Sequence, residues 1–304
     1  MFSSPGVNEA LQDLIRNPWP SEGEGTADLH VHTTASHGRF APTRQVGLAA
    51  SKGLRAVGIT DHNTMTGCLE ALDAGEHYGI EVIQGIEISA EWRQLEMHVL
   101  GLLLDYREER CREAMDTIEE VWWERYRRMI AKARRNLDVD LALDDIYYGG
   151  HLPVVGPLAA ALAQRLGMEQ GEAMRRFLYL GGDAYEPPVL TIAEACRVVH
   201  HCGGVAVMAH PYGYDRKWVQ WTDNDFAGLK DMGVDGLEAW YPSFGEEGTL
   251  DLLGIAEKYG FCVSGGSDCH GFAPGQQSKL GCIRMPYRAV EQLKRAASTR
   301  AQVR

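Results

Sequence analysis

Nine side chains in six short stretches have the types and spacing to hold metal ions. "DLHVHTTASHG" (28–38) carries His30, His32 and His37. Alternate residues of an extended strand share a face, so His30 and His32 stand together with Asp28, opposite Leu29 and Val31. Two imidazoles one pleat apart can reach a single ion. His62 lies in "GITDHNT", Glu87 in "GIEIS", His98 in "HVLG", His210 in "AHP", and Asp268 and His270 in "GSDCHG". Each has a plain structural explanation when taken alone. A lone HxH is a weak signal, an Asp after Ser is usually a turn or cap, and a strand-end Glu is usually solvated. Together they resist that explanation, because chance would scatter them over both ends of the strands. His and carboxylate ligands without thiolate suit Zn²⁺, Mn²⁺ or Fe²⁺. Nine are too many for one ion and suit two or three, with a carboxylate such as Glu87 bridging a pair. Clustered ions lower the pKa of bound water and clamp phosphate oxygens.

The elements around these stretches must put them at one place. From 27 to about 102 the pattern predicts strand, helix, strand, helix, strand, strand. Pro42 suits a helix start and Gly53 a helix end. Residues from about 103 to 190, including "REERCREAMDTIEEVWWERYRRMIAKARRNL", read as a helical insertion. The alternation resumes to the C-terminus, with a last strand around "KLGCIRM" and a terminal helix from "YRAVEQLKRAAS". About seven βα repeats favour a distorted (β/α)7 TIM-like barrel over an open sheet. In such barrels reactive groups sit at the C-terminal strand ends, where the six stretches fall. The expected organisation is an N-terminal arm (1–27), a metal-binding barrel (28–102 and 191–304) and a helical insertion (103–190) capping its mouth.

Composition narrows the class. The 304 residues are 45% hydrophobic and 24% charged, as in ordinary globular proteins. No apolar run is long enough for a bilayer, and the N-terminus lacks a signal-peptide pattern. Seven scattered Cys with no CxxC pair point to reduced thiols and a cytoplasmic protein. A net charge of −12 argues against nonspecific nucleic-acid or membrane binding.

The six stretches, in this order, resemble the motifs of the PHP (polymerase and histidinol phosphatase) family of the amidohydrolase superfamily, from residue 28 to about 285. The resemblance implies a (β/α)7 barrel with three divalent metals and, in free-standing relatives, phosphoester hydrolysis. It implies one ion on His30, His32, Glu87 and Asp268, a second on Glu87, His98 and His210, and a third on His62 and His270 with His37 from the first loop. Asp61 would stand behind the ligands, orienting one or moving a proton. Three departures stand out. Members usually carry Asp where this chain has His37. The phosphatase branch often reads "GRPH" where "VGPL" places Gly156 and Leu158. Pro188 in "AYEPPV" stands where relatives tend to have a basic residue.

Arg39, Arg134, Arg135, Arg216 and Lys217 are candidate replacements for the missing cations, against the plainer reading of solvated surface charge. Trp218, Trp221, Tyr185 and Trp240 could pack on a sugar or base, or simply fill the barrel mouth. The expectation is a metal-dependent hydrolase of small phosphoesters, a phosphatase or cyclic phosphodiesterase acting on a nucleotide or sugar phosphate. Two alternatives remain at this point: amide or lactone hydrolysis at the same centre, and a non-catalytic metal-stabilised module.

Overall fold

The computed structural model describes residues 5–146, 152, 154–213, 220–273 and 275–302; Arg216, Lys217 and Trp218 lie outside them. Its centre is one sheet of eight strands: β1 (Thr26–Val31), β2 (Ala56–Ile59), β3 (Glu81–Trp92), β4 (Leu95–Leu102), β5 (Val205–Met208), β6 (Gly236–Trp240), β7 (Cys262–Gly265) and β8 (Met285–Pro286). Their order is β7-β6-β5-β4-β3-β2-β1-β8. A parallel bridge from Val31 to Cys269 brings β1 back towards β7, so the sheet curls into a nearly closed barrel. The expected seven-stranded barrel is thus present, with β8 added antiparallel to β1.

These strands are short, apolar and almost wholly buried because helices cover their outer face and side chains fill the inside. The helices are α1 (Pro5–Arg16), α2 (Pro42–Ser51), α3 (Cys68–Tyr78), α4 (Glu109–Leu137), α5 (Val155–Leu166), α6 (Gln170–Ala173), α7 (Ile192–His201), α8 (Asp223–Asp231), α9 (Gly245–Tyr259) and α10 (Tyr287–Gln302). Pro42 opens α2, as expected, and Gly53 follows it in the left-handed conformation. Thr191 starts α7 with a capping box: its hydroxyl accepts from Glu194 N, and Glu194 accepts from Thr191 N at 2.9 Å. Closure needs a glycine at Gly266, where a Cβ would lie 2.1 Å from His30 Cβ and 2.4 Å from His30 N.

Two details differ from the sequence reading. β4 runs antiparallel to both β3 and β5, because a tight turn at Arg93 and Gln94, both with positive φ, folds β4 back on β3. His98 therefore comes from the N-terminal half of its strand rather than from a C-terminal end. The last strand is only Met285–Pro286. Gly281 turns the preceding chain with φ 66°, its N–H donates to Asp28 rather than to a ladder, and Pro286 offers no N–H to extend the pairing.

Helix α4 spans two hydrophobic clusters. Cys111, Met115 and Ile118 belong to the barrel core, while Tyr126, Met129, Ile130 and Ala133 pack with Leu158, Leu162 and Phe177 in a second cluster. The helix so ties residues between β4 and α7 to the barrel. Among the described residues no helix is long and apolar enough to cross a membrane. The seven cysteines form no disulfide with one another, and six of them are buried.

Candidate metal centre

All nine candidate ligands converge at one mouth of the barrel. Glu87, at the middle of β3, is the hub. Its Oε2 lies 3.1 Å from His30 Nε2, 3.1 Å from His32 Nε2 and 3.2 Å from His62 Nε2. Its Oε1 lies 2.8 Å from His98 Nδ1 and 3.0 Å from His210 Nε2. Asp268 Oδ1 sits 3.0 Å from His32 Nε2 and 3.6 Å from His30 Nε2. His37 and His270 join from the loops, with ring centroids 4.2 Å apart and His270 stacked 4.1 Å from His32.

The strands explain this convergence. β1 and the residue that follows it present His30 and His32 inward, and the residues after β2, β5 and β7 deliver His62, His210 and the Asp268–His270 pair. Asn63, His210 and Asp268 all adopt positive φ (54°, 26° and 51°), a conformation that non-glycine residues rarely take. Such clustering of backbone strain beside one group of side chains is typical of functional sites.

The donor set fits divalent cations. His30 Nε2, both nitrogens of His32, His37 Nδ1 and Glu87 Oε2 are buried with no well-formed hydrogen bond among the described residues, although several lie within 3.2 Å of one another. Buried nitrogens and carboxylate oxygens crowded at such distances without well-formed hydrogen bonds suit a positive charge between them. Three groups have ligand atoms all within 4.8 Å: His30, His32, Glu87 and Asp268; His62, Glu87 and His98; and His32, His37, His62 and His270. Electrostatics separate them. Burial alone would raise the Glu87 carboxyl, but His62, His30 and His98 hold it well below the usual carboxylate range. Burial, then the neighbouring imidazoles, pushes His37 and His62 well below their ordinary value. Burial and His32 likewise bring His270 down to about 4. Within the third group His37, His62 and His270 are therefore neutral imidazoles.

Around the ligands stands a layer of polar side chains, two of which escaped sequence reasoning. Glu238 is fully buried on β6; its Oε1 accepts from His30 Nδ1 at 3.1 Å and its Oε2 from His210 N at 2.7 Å. One signal was available, a lone carboxylate inside the apolar strand "GLEAW". Tyr241 donates to Asp268 Oδ2 at 2.9 Å. Asp61 accepts from Thr33 N and Oγ1 (2.7 and 2.6 Å) and from Ser36 Oγ (2.6 Å). That places it as a brace for the loop carrying His37.

The candidate cations fare differently. Arg39 is exposed at the rim, and its backbone N–H donates to His270 O at 2.9 Å. Arg134 and Arg135 line an open depression of about 550 Å³ with Asp138, Val139 and Asp140, where no member of the histidine cluster contributes. Despite its volume it holds no convergent ligand set and is not the centre of chemistry. The aromatics mostly serve packing. Trp221 stacks on Trp92 at 4.9 Å, Tyr185 donates to Gln94 O, and Trp240 is buried with its Nε1 donating to Pro18 O. Leu158 is buried in the second cluster and Gly156 opens α5, so neither offers an anion contact.

Comparison with known proteins agrees with this picture. The family model of the PHP domain matches residues 28–178. A 5'-3' exoribonuclease of Haemophilus influenzae is 31% identical over 266 residues, covering 80% of this chain and 89% of that protein. A 3',5'-nucleoside bisphosphate phosphatase of Chromobacterium violaceum is 27% identical over 264 residues, 82% of this chain and 88% of its own. Among solved structures, a protein of Bifidobacterium adolescentis assigned as a metal-dependent phosphoesterase superposes with a TM-score of 0.73 at 27% identity. The match covers 90% of this chain and 96% of that one.

Proposed function

We propose that this chain, which belongs to the PHP family and is a metal-dependent phosphoesterase, hydrolyses a phosphate ester on a small ribose phosphate such as a nucleotide. The observation that carries the reading is the set of buried, mutually facing donors around Glu87.

We assign His30, His32, Glu87 and Asp268 to one ion and Glu87, His98 and His210 to a second, with Glu87 shared between them. His37, His62 and His270, with His32 beside them, form the third set. Its lack of a carboxylate suits Zn²⁺ or Fe²⁺ better than an oxygen-rich set would. When bound, divalent ions supply an activated water near neutral pH and positive charge for phosphate oxygens. The protein's own work is to hold the donors. Glu238 keeps the proton of His30 on Nδ1 and frees Nε2. Tyr241 fixes one oxygen of Asp268 and leaves the other facing His32. Asp61 holds the loop that carries His37, and Arg39 stands at the rim where a substrate anion enters.

Ribose phosphate is the common denominator of the substrates in the relatives' names, RNA and a nucleoside bisphosphate. The net charge of −12 favours the small substrate over the polymer. The exoribonuclease at 31% identity supports a 5'-phosphorylated RNA end as the second reading. Steady-state turnover decides between them. The panel is a 3',5'-bisphosphate nucleotide, a cyclic nucleotide and a 5'-phosphorylated oligoribonucleotide, each with Mn²⁺ and with chelator. Metal-dependent turnover of a mononucleotide is expected. Turnover of the oligonucleotide alone would replace the first reading by the second, and no metal-dependent release from any of them would refute both.

A further inference from the structure

The residues between β4 and α7 supply none of the nine ligands, yet one of their side chains reaches the metal centre. Arg125, on α4, is 1% exposed. Its Nε donates to Glu186 O at 3.0 Å and its Nη2 to Glu96 Oε2 at 2.6 Å. Glu96 and His98 are two residues apart on β4 and so share a face. Glu96 Oε1 lies 3.7 Å from His98 Nε2, an electrostatic contact, and His98 Nδ1 faces Glu87 Oε1 at 2.8 Å. A line of alternating charge thus runs from the guanidinium through Glu96 and His98 to the hub of the site.

Stability alone does not account for Arg125. Its Nη1 is buried with no hydrogen-bond partner among the described residues. An orphaned donor on a buried charge opposes folding, and apolar side chains in place of both Arg125 and Glu96 would avoid that penalty without leaving either charge unpaired. What Arg125 does accomplish is to anchor Glu96 beside the outer nitrogen of His98. A neutral imidazole carries one N–H. A carboxylate next to Nε2 keeps the proton there and leaves the Nδ1 lone pair free to bind an ion.

We propose that Arg125 is a positioning residue of the metal centre. It holds Glu96, Glu96 sets the tautomer and ring orientation of His98, and helix α4 thereby governs occupancy of the ion that His98 holds. The proposal rests on the assignment of His98 as a ligand.

The test uses the full chain with R125M, R125K, E96Q and the R125M/E96Q double variant. Affinity for Zn²⁺ is measured by competition with a chromogenic chelator, alongside thermal melting of the metal-free forms and KM of the loaded enzymes. R125M should bind one ion about 10- to 100-fold more weakly and melt lower than wild type, because Glu96 loses its counter-charge, whereas R125M/E96Q should regain the melting temperature but not the affinity. R125K should recover part of the loss. E96Q should match R125M, and the double variant should be no worse than either. In ¹⁵N spectra of the Zn²⁺-loaded wild type, the His98 proton should sit on Nε2. Unchanged Zn²⁺ affinity in both R125M and E96Q would overturn the proposal, and a raised KM in R125M alone would reassign Arg125 to substrate. Should R125M not fold, E96Q decides alone. Wild-type protein that binds no Zn²⁺ would overturn the metal-centre reading itself, and this proposal with it.

Discussion

Loading the centre with metal should release protons, and their number follows from the electrostatics of the empty site. Burial draws His32 down, but the adjacent Asp268 and Glu87 carboxylates outweigh it and push it up to about 9. The same contest, with Glu87 and Glu96 as the carboxylates, pushes His98 up to about 10. Burial also opposes His30, but Glu87, Glu238 and Asp268 hold it well above its ordinary value. All three imidazoles therefore carry an extra proton at pH 7 in the metal-free protein, and each must lose it to offer a lone pair. His37, His62 and His270 are already neutral there. Filling the ion on His30 and His32 should thus expel about two protons and the ion on His98 about one, and the apparent affinity of each ion should rise about tenfold per proton per pH unit. From pH 7 to 8 that is about 100-fold for the first ion and about tenfold for the second. The assay is calorimetric titration of Zn²⁺ into chelator-stripped protein, in buffers of different ionisation enthalpy, at pH 6, 7 and 8. The same shifts fix the behaviour of stripped protein. Its stabilisation by protonated His32 and His98 is complete below their ordinary value of 6.5 and is lost as pH rises through about 9 to 10. Zn²⁺ affinity that stays flat across this range, with no proton released, would refute the placement of His32 and His98 as ligands beside these carboxylates.

Three substitutions probe other parts of the argument. G266A should lower unfolding stability by about 3 kcal/mol or more, because the new Cβ meets the His30 backbone where β7 closes on β1; a urea midpoint shift worth below about 1 kcal/mol would show that the closure is slack. D61N puts an amide N–H against hydrogen-bond donors from Thr33 and Ser36, and should cost about 1–3 kcal/mol, while metal at His37 weakens more than metal at His30. In H37A crystals, anomalous scattering at the metal edge should lose only the peak beside His62 and His270; a peak of undiminished height there would remove His37 from the ligand set.

The barrel was legible because its signals are local. Short apolar runs such as "AVGI", "VAVM" and "CVSG" became β2, β5 and β7, and the Pro42 and Gly53 punctuation fell where a helix begins and ends. The errors arose where tertiary context sets direction or length. Nothing in "LEMHVLG" states that its strand runs against its neighbours; that follows from two consecutive left-handed residues, Arg93 and Gln94, which are not turn formers by type. "KLGCIRM" has strand composition throughout, yet Asp28 captures the N–H of Gly281 from across the fold and ends any ladder there.

The site divides along the same line. Metal ligands were visible because a metal needs particular atoms from particular residue types, and histidine is too rare for seven of eleven to gather at one barrel mouth by accident. The residues that aim those ligands carry no such signature. Glu238 and Asp61 are equally buried carboxylates beside the cluster, and only the partners they meet distinguish them: imidazole and a backbone N–H for one, a loop's hydroxyls and N–H groups for the other. Arg125 stands among many arginines of a charged helix, and its difference from Arg134 and Arg135, about two and a half turns on, is which way the helix face turns. One of these arginines is sealed against β4 at 1% exposure, and the other two open onto solvent-side acidic residues. Ligand chemistry is thus written in residue type, whereas ligand orientation is written in packing, and an arginine that the sequence reading never singled out is the one that packing sets on the carboxylate beside His98.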